Sequence, residues 1–214
     1  MGLDTIRTVL SIVFNLAIIV MTAVALAEFF SEIGGRANMQ VKNARCLEYF
    51  TVQSNILCSL TAIFMIVFGV IRLAGGAPAP LWALILKLLG TTAVGLTFFV
   101  VFLMLAPYAG YKFMIEGGSL YMHLISPLAA MVSFILLDCG PKLPMWAIAL
   151  ALIPTVLYGA VYLYQVVVKG EKNGGWEDFY GFNKGGKWPF SCVLLLGMTA
   201  LIAFLLILGH NALA

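Results

Sequence analysis

Six apolar runs, each long enough to cross about 30 Å of hydrocarbon, constrain this chain more than any other feature. Within a bilayer only structures that satisfy their own backbone hydrogen bonds can span, and runs of about 20 residues do so as helices. The runs lie at about residues 6–29, 46–73, 81–107, 119–138, 145–168 and 188–208. Glycine- and proline-rich punctuation separates them, including Gly34-Gly35, Gly75-Gly76-Ala77-Pro78, Gly117-Gly118 and Gly140-Pro141. An even number of spans places both termini on one face and the first, third and fifth connectors on the other. The expected fold is therefore all-α: a polytopic six-transmembrane-helix bundle formed by residues 1–214 as a single domain. The first run is longer than the apolar core of a secretory signal and is expected to remain as the first helix.

A chain that is 63% hydrophobic and 10% charged lies outside the range of ordinary soluble domains. Its net charge of +3 is small and it has no basic run, so nucleic acid is not an expected partner. Four cysteines lack metal-ligand spacing and only two histidines are present, so no metal is expected and the thiols read as packing groups. Arg36, Lys42, Arg45, Lys112, Lys169, Lys172, Lys184 and Lys187 fall on the odd-connector face, against Arg7, Arg72, Lys87 and Lys142 opposite. Taken literally, that count puts the termini outside. Four of these lysines share the fifth connector with Glu171, Glu177 and Asp178, which leaves sidedness open. Lys87 is expected to snorkel, and His210 to be accessible to solvent.

The second span carries a polar block, Thr51-Val52-Gln53-Ser54-Asn55. At 3.6 residues per turn, Glu48, Thr51, Ser54, Asn55 and Cys58 follow one stripe, which should face protein. In the fourth span His123 is followed on one face by Ser126 and Pro127. An ionisable residue in a span is a candidate functional group, and the proline frees a backbone carbonyl near it. Both spans start from the odd-connector face, so Thr51 and His123 should lie roughly 6–8 Å inside it. A hydroxyl and an imidazole at one level are the minimum parts for nucleophilic acyl transfer. Asn55 or Ser54, one turn deeper, would polarise the carbonyl. Glu48 is the nearest carboxylate by depth, which favours a dyad over a triad. The bland alternative is that threonine bonds its own helix while Ser54 and Asn55 join helices. Asn15 is expected to bond between helices. The fifth connector, with Trp176, Phe179 and Tyr180 among its glycines and acids, reads either as a lid or as an interfacial anchor. Tyr121 and Trp188 carry the same two readings.

Three blocks carry a family resemblance: Tyr49-Phe50-Thr51-Val52-Gln53-Ser54-Asn55, Met122-His123-Leu124-Ile125-Ser126-Pro127, and Trp188-Pro189-Phe190. Together they resemble the family of androgen-induced gene 1 protein and androgen-dependent TFPI-regulating protein. The Gln53-Ser54-Asn55 continuation is closer to small bacterial six-span relatives. The resemblance implies a membrane hydrolase of fatty-acid esters of hydroxy fatty acids, with the threonine nucleophile at Thr51 and the histidine at His123. It also implies a bacterial cytoplasmic membrane.

The resulting expectation is an intramembrane lipid-ester hydrolase: Thr51 as nucleophile, His123 as base, and Asn55, Ser54, Gln53, Tyr121, Glu48 and Trp188 around the substrate. No cofactor and no obligate protein partner are expected, and the substrate would enter from the bilayer. The rival expectation is a transporter or a lipid- or small-solute-binding protein using the same pocket without covalent chemistry. In that alternative a homodimer would complete the path.

Overall fold

The computed structural model describes residues 2–30 and 43–214; the Gly34-Gly35 connector, Arg36 and Lys42 lie outside them. Six membrane-length helices form the bundle: α1 Leu3–Phe30, α2 Phe50–Leu73, α3 Leu81–Tyr108, α4 Gly118–Leu137, α5 Ala147–Lys169 and α6 Trp188–Leu213. No strand occurs among the described residues. The protein is an all-α, multi-pass integral membrane protein. Arg7 Nη1 donates to the Leu213 carbonyl at 3.0 Å, which holds the start of α1 beside the end of α6. That face, which bears both ends of the described chain, is the terminal face.

Each helix divides between a bilayer face and a protein face. On α1, Thr8, Ser11, Asn15, Ile18, Thr22, Ala25 and Phe29 are buried at spacings of three and four. Leu10, Val13, Leu16 and Val20 project outward, where hydrocarbon rather than water is their solvent. The α2 stripe is buried as its spacing requires, through Thr51, Ser54, Asn55, Cys58, Thr61 and Met65. Central α3 is buried along most of its first five turns. The largest apolar cluster joins α3 to α4, α5 and α6 through Leu84, Leu88, Phe134, Ala147 and Ile207.

Three sequence expectations are corrected. Residues Asn43–Glu48 form a 3₁₀ turn and α2 begins at Phe50, so Thr51 lies in the first turn of its helix rather than a turn and a half inside it. Lys87 does not snorkel: it is fully buried, and its Nζ donates to Asn15 Oδ1 at 2.6 Å. An internal acceptor removes the reason to reach for water. His210 is also fully buried, its Nδ1 3.1 Å from the Phe134 carbonyl and its Nε2 3.3 Å from that of Pro141. Helix α6 continues to Leu213, so His210 is on a packed turn rather than in a tail.

Helices α2 and α3 approach closely at Gly90, where an added Cβ would stand 2.5 Å from Thr61 Oγ1 and 2.8 Å from Cys58 Cα. Backbone cannot yield as a side-chain tip can, so Gly90→Ala should destabilise the bundle by about 1–3 kcal/mol. Gly197→Ala, with nothing within 4 Å, should leave stability unchanged or slightly raised. Thermal unfolding of both variants in one detergent provides the comparison.

Candidate functional site

The first turn of α2 has unpaired backbone N–H groups that no side chain of its own caps. The fifth connector supplies the missing acceptor: Phe50 N–H donates to the Tyr180 hydroxyl at 2.9 Å. The Tyr158 and Thr51 side chains lie beside the same hydroxyl and share a cavity wall with it. Asp178 shapes the loop that delivers it. Its Oδ1 accepts from Tyr162 Oη at 3.0 Å and Phe182 N at 2.8 Å, and its Oδ2 from Asn183 N at 2.8 Å. Tyr180 N in turn donates to Tyr162 Oη at 3.2 Å. Phe179 packs on Tyr49 with ring centroids 4.3 Å apart. The connector therefore folds onto α5 and the start of α2 as part of the site.

Asn55 links this turn to α4. Its Nδ2 donates to the Thr51 carbonyl at 2.8 Å and to the Met122 carbonyl at 3.1 Å. The second bond follows from the local chemistry of α4. Residues Tyr121–Ile125 form a π-helical turn in which Ser126 N–H reaches back five residues to Tyr121. In the same register Pro127 would serve Met122, but proline has no N–H. Asn55 supplies that donor, and so sets Thr51 and the residue preceding His123 at one level. Both Asn55 N–H groups are thereby engaged. Its Oδ1 and Ser126 Oγ are buried without a partner among the described residues. Ser54 Oγ lies 3.0 Å from the Thr51 carbonyl and 2.9 Å from Thr97 Oγ1.

His123 is buried, with Nδ1 2.8 Å from the Met114 carbonyl. A carbonyl only accepts, so Nδ1 carries the proton and Nε2 keeps its lone pair, the tautomer of a general base. Met114 ends a short helix, Tyr111–Met114, and packs with Val101 and Ala106 of α3. Main chain therefore orients the imidazole. Among the described residues no hydrogen bond joins His123 to Thr51, whose side chain lies beside the Tyr180 hydroxyl.

Thr51 borders a largely apolar cavity of about 100 Å³ enclosed by α2, α3, α5, α6 and the fifth connector, with Thr97, Val100, Met104, Tyr158 and Tyr180 among its walls. His123 is not one of its walls. A second hollow of about 280 Å³ opens between α2 and α5, bordered by Gln53, Ser54, Leu57, Pro154, Leu157 and Val161. Leu157 and Val161 are among the exposed apolar residues, which marks this hollow as a cleft open to the bilayer. Phe50 and Tyr158 border both spaces, their rings 5.1 Å apart, and so form the partition between cleft and cavity.

The other expected site residues are dispersed. Gln53 is exposed, and its amide donates to the Leu47 carbonyl at 2.7 Å. The Glu48 carboxylate pairs with Arg45 at 3.5 Å, while its backbone carbonyl accepts from Tyr158 Oη at 2.7 Å. Tyr121 packs on the cluster of Ala25, Phe29, Cys46, Val52 and Met122. Trp188 is exposed at the start of α6. Tyr180, Tyr158 and Asp178 are the residues that sequence reasoning did not assign to the site. The connector's aromatic and acidic composition was the one visible signal for Tyr180 and Asp178, and Tyr158, within α5, carried none.

No family model matches the chain, and neither a curated protein nor a solved structure is detectably similar to it.

Burial pushes the Tyr180 hydroxyl up to about 12, against the donors from the start of α2 that pull it down. The folded state thus keeps a proton that the unfolded chain gives up near pH 10. Its contribution to stability is complete below about pH 10 and is lost as pH rises towards 12. In Tyr180→Phe this alkaline loss should shrink. The variant should also be less stable at neutral pH by about 1–3 kcal/mol, because Phe50 N–H is orphaned. Unfolding followed by circular dichroism from pH 7 to 12 tests both.

Proposed function

We propose that this protein hydrolyses esters of bilayer lipids, with Thr51 as nucleophile and His123 as general base. The observation that carries the reading is the position of Thr51: its buried hydroxyl-bearing turn borders an apolar cavity, and an aromatic partition separates that cavity from a cleft open to hydrocarbon. A single acyl chain entering between α2 and α5 would lie along Leu57, Leu157 and Val161. Displacing the Phe50 and Tyr158 rings would bring its ester carbonyl to Thr51. Each methylene moved out of water contributes about 0.8 kcal/mol, but a lipid already in the bilayer gains little from this. Recognition then rests on the polar groups around the ester.

In the reaction, Thr51 Oγ1 bonds to the ester carbonyl carbon and its proton passes to His123 Nε2. Collapse of the tetrahedral intermediate breaks the bond to the alcohol oxygen, which takes that proton as it leaves. Water, deprotonated by the same nitrogen, then attacks the acyl-threonine; the acid departs and the threonine hydroxyl is restored. Asn55 has both N–H groups committed to carbonyls, so the hydroxyl of Tyr180 is the better-placed donor to the oxyanion. The sequence blocks at Thr51 and His123, their shared level through Asn55, and the base tautomer of His123 support this reading. Its conformational requirement is that substrate draws Thr51 from Tyr180 towards His123. The resemblance of these blocks to small bacterial six-span proteins favours a bacterial cytoplasmic membrane as the setting.

A second reading, non-covalent lipid binding, is favoured by the position of the Thr51 side chain beside Tyr180 rather than His123, and by the absence of His123 from the cavity wall. A fluorophosphonate probe separates the two. Under the hydrolase reading it labels the wild-type chain at Thr51, Thr51→Ala abolishes the adduct, and His123→Ala lowers ester turnover by about 10²–10⁴-fold. Absence of both adduct and turnover, with lipid still retained, would establish the binding reading instead.

A further inference from the structure

A second polar site lies at the terminal face, at the opposite end of α4 from His123. Asp138, the residue that ends α4, is buried. Its Oδ1 accepts from Ser11 Oγ at 2.6 Å, Asn15 Nδ2 at 2.9 Å and Ser133 Oγ at 3.0 Å. Asn15 Oδ1 accepts from Lys87 Nζ at 2.6 Å, so one amide stands between a buried ammonium and a buried carboxylate. In contrast to Oδ1, Asp138 Oδ2 is buried with no partner among the described residues. Asp138 borders a cavity of about 20 Å³ whose other walls include Thr8, Ser11, Gly69 and Arg72. That volume suits one water molecule.

The chemistry of this cavity selects its occupant. The bare carboxylate oxygen requires a donor and repels anions, while Lys87 and Arg72 together disfavour a metal cation. A water molecule can donate to Oδ2 and can also deliver a proton to it. The other charged or titratable groups at this end are Asp4 and Arg7 on α1, Cys58 and Arg72 on α2, Cys139 and Lys142 after α4, and His210 on α6. Asp4 is 3.7 Å from Arg72, Arg7 is bonded to the Leu213 carbonyl, and His210 contacts the Phe134 and Pro141 carbonyls. The first three turns of α5 contribute no titratable side chain.

We propose that Asp138 is a proton-binding site within the bilayer, loaded from the aqueous phase at the terminal face through this cavity, with Lys87 as its counter-charge across Asn15. Protonation at Oδ2 turns an acceptor into a donor aimed at the cavity and weakens the three bonds received by Oδ1. The junction of α1, α3 and α4 then responds to pH on that side of the membrane. The inference is independent of the chemistry proposed at Thr51.

Dicyclohexylcarbodiimide reacts with protonated carboxyl groups in apolar surroundings: the acid proton passes to a reagent nitrogen and the carboxylate oxygen bonds the central carbon. With the full-length protein in nanodiscs, peptide mapping should find the adduct on Asp138, with yield falling as pH is raised and no adduct at that position in Asp138→Asn. Lys87→Met removes the cation that favours the carboxylate, and should raise labelling about tenfold at a pH where the wild type has become unreactive. Should that variant not fold, infrared difference spectra of the wild type serve the same purpose. Acidification should produce a protonated-carboxyl band that Asp138→Asn lacks. No Asp138 adduct at any pH, labelling unaffected by pH, labelling unchanged in folded Lys87→Met, or no such band would each overturn the proposal.

Discussion

The hydrogen bond from Asn55 to the Met122 carbonyl is the contact on which the organisation of this site depends. In hydrocarbon a backbone carbonyl without a donor is costly, and Pro127 creates such a carbonyl on a buried face of α4. A side-chain amide from α2 fills the deficit at 3.1 Å and at the same time holds its own helix at Thr51. The histidine follows the satisfied carbonyl, and the threonine begins the helix that provides the donor. A structural repair and the placement of the two residues we propose as catalytic are thus the same interaction, and a non-donating side chain at position 55 would disturb both.

The same rule explains the two ends of the bundle and the difference between them. At the odd-connector end, Tyr180 enters from outside the spans to cap α2, and Asp178 keeps it there by holding three groups of its own loop. At the terminal end the partners all come from helices or their last residue: Ser11, Asn15, Lys87, Ser133 and Asp138. One end is completed by a connector folded back onto α2 and α5. The other is closed by contacts among the spans themselves, and it holds the carboxylate that we propose takes up a proton.

Much of the scaffold was legible in the sequence. Hydropathy marked all six spans, because length and apolarity are what the bilayer tests. The buried α2 stripe followed from helical spacing, and the role of Pro127 from its missing N–H. The fate of Lys87 was not legible, since its partner Asn15 lies 72 residues away and nothing local distinguishes a snorkelling lysine from one with an internal acceptor. His210 was misplaced because α6 runs on past the expected boundary near residue 208, which turns a tail position into a packed one. Tyr180 was visible as one aromatic among several. Its bond to Phe50 spans 130 residues and depends on a loop shape that Asp178 holds partly through Tyr162 of α5.

The position of Thr51 at a helix start rather than in mid-span affects the chemistry available to it. Backbone N–H groups of a first turn point towards the N-terminal side and carry the positive end of the helix dipole, which favours a developing negative charge nearby. A threonine deeper in α2 would have its neighbouring N–H groups committed to the helix and would face a purely apolar environment. Here the cap is a hydroxyl from a separate segment, which accepts from Phe50 N–H and still has an O–H of its own to donate. In the hydrolase we propose, a substrate ester would meet that O–H at the α2 terminus, a donor already oriented before it binds.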